Sequence, residues 1–186
     1  MSRPRLAPLA PDELDPYARQ VFDGVGAGGA ANMVATMAHH RRLFERFLAV
    51  TVELHSGELP SRLRELVVLR VAARRQCRYV WEQHARLARR AGHDDDALAT
   101  LGAPVGPPWA GPERTVLAAV DQLLRHSTVD APTWDALAST FSPAQLVELC
   151  LLVGHYSGLC FLANAAGVLP DEGGVPTPPL PGSDGG

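Results

Sequence analysis

Three residues in the middle of the chain have types and spacings that suit acid-base or thiol chemistry: Glu65, Cys77 and His84. Cys77 and His84 are seven residues apart, which on one continuous helix is two turns with an offset of about 20°, so both side chains fall on one face and can share a pocket. Val80 and Trp81 lie on the same stripe and supply an apolar wall, an environment that moves pKa values. Glu65 precedes Cys77 by twelve residues; on an unbroken helix it would point about 120° away and lie about 18 Å along the axis. A turn near Arg74 to Gln76 is therefore required. With that turn, Cys77 occupies the first turn of its helix, where the macrodipole favours thiolate, and Glu65 folds back towards His84.

Each of these residues also has a plainer reading. His84 is equally a helix histidine with a satisfied hydrogen bond, and Cys77 a small buried thiol that fills space. Glu65 can stabilise a helix start or pair with an arginine, a role worth about 1 kcal/mol or less. Tyr79 and Trp81 read as pocket wall or subunit interface, and Arg64, Arg70 and Arg74 as surface charges. His155 and Tyr156 lie in an otherwise apolar stretch, need hydrogen-bond partners if buried, and are candidates to complete the pocket. The seven histidines show no His-x-x-x-His spacing, and no Cys-x-x-Cys pair, glycine-rich phosphate loop or serine elbow occurs, so neither a metal nor a cofactor is expected.

The elements that position these residues read as helices throughout. A proline-rich arm leads to a helical stretch near Asp12 to Asp23, and Gly24 to Gly29 interrupts it. Met33 to Leu54 supports one or two helices with His39 and His40 near a junction, ended by Ser56-Gly57. Pro60 or Ser61 starts the helix carrying Glu65, whose run Leu66 to Ala73 is apolar enough to be buried on most sides. The helix of His84 ends near Ala91-Gly92, with Gly92 a left-handed cap and Asp94 to Asp96 starting the next. Gly102 to Pro112 reads as a loop, followed by helices over Glu113 to His126 and Pro132 to Thr140. Ser142-Pro143 then starts a long helix to about Ala166, apolar all round and so expected to be buried, in part between subunits. Pro170 to Gly186 reads as a mobile or peripherally packed tail. No alternating strand pattern of useful length occurs.

The 186 residues, 46% of them apolar, suffice for one domain with a sizeable core. Lysine plus arginine (17) nearly balance aspartate plus glutamate (20), so the charge of -3 argues against nucleic acid or an acidic membrane as partner and for a small molecule. The arginine-rich stretch from Arg62 to Arg90 reads as solvated helix faces. Three cysteines, Cys77, Cys150 and Cys160, do not form a secreted disulfide framework, and no apolar run of signal-peptide or membrane-span length is evident, so the cytoplasm is the expected location.

Leu59-Pro60-x-Arg62-x-Arg64-Glu65-Leu66 followed by Cys77-Arg78-Tyr79-Val80-Trp81-Glu82-Gln83-His84 resembles the carboxymuconolactone decarboxylase and alkylhydroperoxidase D-like superfamily. The likeness continues through Ala91-Gly92-His93-Asp94-Asp95-Asp96-Ala97-Leu98 and more loosely through Val153-Gly154-His155-Tyr156, and covers roughly 38–168. It implies an all-α helical bundle at 38–168, between an N-terminal arm and helix (1–37) and a Pro/Gly-rich tail (169–186), assembled as a dimer, trimer or hexamer. In the peroxidase branch of that family the matching residues are Glu65, Cys77 and His84, but Val80 stands where a second cysteine would resolve the sulfenic acid. The decarboxylase branch, which needs no cysteine pair and often carries the pattern seen at Tyr79, Trp81 and His84, is the closer one. The resemblance then implies a cofactor-independent lyase or isomerase working by acid-base chemistry on a small organic acid, lactone or carbonyl compound. His84, Glu65 and Cys77 would be its catalytic residues, and Tyr79, Trp81, Val80, His155 and Tyr156 would contact substrate. A one-cysteine peroxidase and a non-catalytic oligomeric binding protein are the competing expectations.

Overall fold

A computed structural model describes residues 3–25, 30–171 and 176–182. Its helices are α1 (Pro16–Val25), α2 (Ala31–Met37), α3 (Arg41–His55), α4 (Ser61–Arg74), α5 (Arg78–Arg90), α6 (Asp95–Ala99), α7 (Gly111–His126), α8 (Ala131–Ala138) and α9 (Pro143–Ala166), and no strand occurs among the described residues. The expected glycine interruption falls mostly at 26–29, outside the described residues.

Helix α4 is the axis of the bundle and packs against α5, α7 and α9. Every residue from Leu66 to Ala73 is buried, Arg70 included, which is why its apolar run shows no polar face. Two corners fix what surrounds it. At the α3–α4 corner the Glu148 carboxylate on α9 accepts the backbone N–H groups of Glu58 (2.7 Å) and Leu59 (3.1 Å). At the α4–α5 corner Gln76 takes a left-handed conformation (φ 49°), and the Cys77 N–H returns to the Ala72 carbonyl at 2.9 Å. Helix α5 therefore folds back antiparallel on α4, and residues about equally far from the turn, Glu65 and His84, come face to face.

Helix α9 starts with a capping box between Ser142 and Gln145 and ends at Gly167 in a left-handed cap (φ 67°). Burial of this helix is only partial: Val147 (60%), Leu151 (60%) and Phe161 (57%) are exposed, although its length and mean hydropathy of 1.7 would suit a membrane span. The N-terminal arm is tied down through the Arg5 N–H to the Ala166 carbonyl (2.8 Å) and the Leu9 N–H to the Ala35 carbonyl (3.2 Å). A small second core of Leu14, Ala18, Val34, Ala35, Ala38 and Phe44 anchors α1 and α2.

Residues 176–182 pack as a strap. The indole N–H of Trp81 donates to the Pro178 carbonyl (2.7 Å), Arg89 donates to the Pro176 carbonyl (2.7 Å), and Leu180 is buried. Asp171 accepts from the Tyr79 hydroxyl (2.8 Å), the Gln83 amide (2.8 Å) and the Asn32 N–H (2.7 Å). Trp81 and Arg89 of α5 thus hold the carbonyls of this proline-rich segment, and Gln76 holds that of Pro181 (3.0 Å).

Candidate active site

Glu65 and His84 are both buried, at 3% and 7% exposure, with His84 Nδ1 2.7 Å from Glu65 Oε2. A carboxylate in this geometry accepts, so Nδ1 carries a proton, and in the neutral ring Nε2 is the nitrogen with the lone pair. Burial pushes the Glu65 carboxyl up, but the hydrogen bond and charge of His84, with His55 and Arg64 beyond it, outweigh burial and hold it below its usual range. Arg64, expected on the surface, is largely buried and places its Nε 3.5 Å from Glu65 Oε1.

His55, the last residue of α3, was not singled out by its sequence context. Its Nδ1 lies 2.9 Å from the Thr51 carbonyl, and its Nε2 lies 3.4 Å from the Tyr156 hydroxyl. Its ring centroid is 5.9 Å from that of His84, and Tyr156 meets His84 edge-on at 4.9 Å. Burial lowers the His55 pKa and raises that of Tyr156, so both are held neutral. One signal was available: Thr51 and His55 at i,i+4 put two polar groups on one face of a helix directly before the motif.

These groups open on a cavity of about 440 Å³ whose apolar wall includes Met33, Val80, Leu87 and Leu159. Tyr79, Val80 and Tyr156 line it. His155 does not; it stacks on Phe47 (4.0 Å between centroids) and bonds Thr51 Oγ1 (2.8 Å), and burial with the nearby His55 pushes its pKa down to about 4. Trp81 does not line it either. One residue on from Val80, its indole turns about 100° away on the helix and lies fully buried beneath the strap.

Cys77 departs most from the single-helix expectation. It is the N-cap of α5, with φ -99° and ψ 91°, so the two-turn argument linking it to His84 does not apply to an extended residue. Its thiol is fully buried, lies outside the cavity lining and hydrogen-bonds Cys160 of α9. That bond, together with the backbone N–H groups of Val80 and Tyr79, lowers the Cys77 pKa against the effect of burial, while the Cys160 thiol is raised. The residue presented to the cavity beside His84 is Val80.

Arg70 and Arg74 are not free surface charges: both bind Asp121 of α7, at 2.6 Å and 2.9 Å. The absence of a metal motif along the sequence also has a spatial counterpart, because His55, Glu65 and His84 each offer one donor atom within 4.8 Å of the others. Three separate helices supply them, so no local spacing could register the group.

The sequence profile of the carboxymuconolactone decarboxylase family matches residues 38–122, which contain Glu65, Cys77 and His84. Sestrin-2 of Pongo abelii and of Homo sapiens are each 26% identical over 97% of this chain, which spans 41% of their length. The alkylhydroperoxidase AhpD core structure of a peroxidase-related protein from Ralstonia eutropha JMP134 has a TM-score of 0.82 at 21% identity, covering 92% of this chain and 94% of that one. The debrominase Bmp8 in complex with 2,3,4-tribromopyrrole gives 0.71 at 16% identity, covering 90% and 91%. The family profile thus matches the stretch that carries Glu65, Cys77 and His84, and the helical bundle as a whole shares its fold with AhpD-like structures.

Proposed function

We propose that the protein is a lyase or isomerase that moves a proton on a small organic acid, lactone or carbonyl compound without a cofactor. One observation carries this reading: His84 is oriented by a 2.7 Å contact with buried Glu65 and faces a cavity with apolar walls. A carboxylate that fixes the imidazole tautomer leaves Nε2 as the general base and stabilises the imidazolium that forms. The neutral Tyr156 hydroxyl and His55 are placed to donate to or accept from the substrate oxygen on which charge develops. Apolar walls exclude water and strengthen these contacts.

Thiol peroxidase chemistry has less support, because the only cysteine of the motif is fully buried behind Val80 and pairs with Cys160. Self-association is part of the proposal. Val147, Leu151, Gly154, Gly158 and Phe161 recur at helical spacing on the exposed face of α9, and both glycines have open space where a side chain would stand. A second copy packed there would cover this stripe, and sedimentation velocity reads it directly.

The test is hydrogen-deuterium exchange at the carbon next to the carbonyl in a panel of small lactones and oxo acids, followed by NMR in chelator-treated D₂O. Wild-type protein should accelerate exchange on at least one compound, and His84→Ala should lose about 10²- to 10⁴-fold. Equal exchange in the variant and the wild type would sink the reading.

A further inference from the structure

We propose that His55, Glu65 and His84 form a binding site for one divalent first-row transition-metal ion. Their donor atoms, from α3, α4 and α5, lie within 4.8 Å of one another. Around an ion with bonds of about 2.0–2.2 Å, adjacent donors stand roughly 3–3.5 Å apart, so closing the set takes side-chain movement of about 1 Å. The 2.7 Å separation of His84 Nδ1 and Glu65 Oε2 opens slightly, and His55 moves inward.

The state of His55 is the second observation. A backbone carbonyl can only accept, so the contact of Nδ1 with Thr51 O puts the ring proton on Nδ1 and leaves the lone pair on Nε2. Among the described residues that lone pair meets only the Tyr156 hydroxyl, at a long 3.4 Å. An imidazole held through one nitrogen by a carbonyl, with the other presented to a cluster, is the arrangement that metal-ligating histidines use.

Two imidazoles and one carboxylate select the chemistry of the ion. Oxygen-preferring Ca²⁺ and Mg²⁺ are disfavoured by nitrogen donors, and a soft Cu⁺ by the lack of sulfur, since neither Cys77 nor Cys160 belongs to the group. Zn²⁺, Co²⁺, Fe²⁺ and Mn²⁺ suit it. Three protein ligands leave coordination positions open towards the cavity, where water or a small anion would complete the sphere. An ion on His84 Nδ1 moves the ring proton to Nε2 and so removes the lone pair that proton transfer needs, and the metal-loaded and proton-transferring forms exclude each other.

The experiment is titration of chelator-stripped, full-length protein with Zn²⁺ by calorimetry and with Co²⁺ by visible absorption, without substrate. One ion per chain is expected, with Co²⁺ bands free of thiolate charge transfer. His55→Ala should weaken binding by more than the roughly 10- to 100-fold that loss of a ligand's supporting contact costs, and His126→Ala, on the exposed end of α7, should not change it. Absence of saturable Co²⁺ bands in the wild type, thiolate charge transfer, or equal affinity in His55→Ala would each overturn the proposal. Because exchange is assayed in chelator and metal binding without substrate, either reading can fail alone.

Discussion

Helix α4 carries two buried charges five residues apart, Glu65 and Arg70, and their surroundings are opposite. Arg70 is 1% exposed and engages four of its five N–H groups: two contacts reach Asp121, at 2.8 Å and 2.6 Å, and Nη1 donates to the carbonyls of Leu101 and Ala103. Glu65 has one strong partner, His84, a longer one in Arg64, and an open cavity beyond. A charge whose hydrogen bonds are all spent inside the fold can only hold elements together; here it ties α4 to α7 and to the loop after α6. A charge whose partner retains a free lone pair beside a cavity can still act on a ligand. Burial alone does not separate structural from chemical roles, but residual hydrogen-bonding capacity does.

The comparison breaks most visibly at Arg70. Arg70→Met should destabilise the fold by about 3–5 kcal/mol, because Asp121 loses one of two cations and the buried Leu101 carbonyl loses its donor; urea unfolding measures it. Asp121 sharpens the same point with pH. Burial raises its pKa, but Arg74 and Arg70 more than reverse this, so its stabilisation is present above the unfolded value of 3.8 and disappears as the pH falls through the lower folded value.

At Glu65 the balance should invert. Glu65→Gln keeps shape and an acceptor for His84, so stability should fall by only about 1 kcal/mol in the same unfolding assay. Turnover should drop about 10²-fold or more, since a neutral amide no longer stabilises the imidazolium. A larger effect on folding than on turnover would place Glu65 in the same class as Arg70.

The smallest effect concerns His155, which lies between the two cases, bonded to Thr51 but outside the cavity lining. Its folded pKa of about 4 is below the ordinary 6.5, so between those values the unfolded chain binds more protons and stability rises with pH. Thermal melts from pH 7 to pH 4 should therefore show a loss on acidification that His155→Phe reduces. An unchanged slope would mean that other groups carry the acid sensitivity.

Much of the fold was legible in the sequence because local chemistry sets helix ends. Ser142 before Pro143, Gly92 after Arg90 and Asp94 before α6 cap where their types require, and the turn demanded by the spacing of Glu65 and Cys77 lies at Gln76. The pairing of Glu65 with His84 follows from that turn, since an antiparallel hairpin of two helices brings together residues at equal distance from it. Periodicity could not foresee that Cys77 leaves the helix to cap it, nor that Trp81 points to a strap almost a hundred residues later. The tail's packing depends on carbonyls that carry no side-chain signature.

The sequence by itself determined the helices and their order and made the acid-imidazole pair an expectation, because capping, periodicity and one turn are local properties of the chain. Only the tertiary structure decided that His55 and Tyr156 join that pair, that Cys77 meets Cys160 away from the cavity, and that Arg70 is sealed against Asp121. The physical reason is distance along the chain. Contacts among α3, α5 and α9 are set by how whole helices pack around α4, and helix packing depends on the summed shape of many side chains rather than on the spacing of a few.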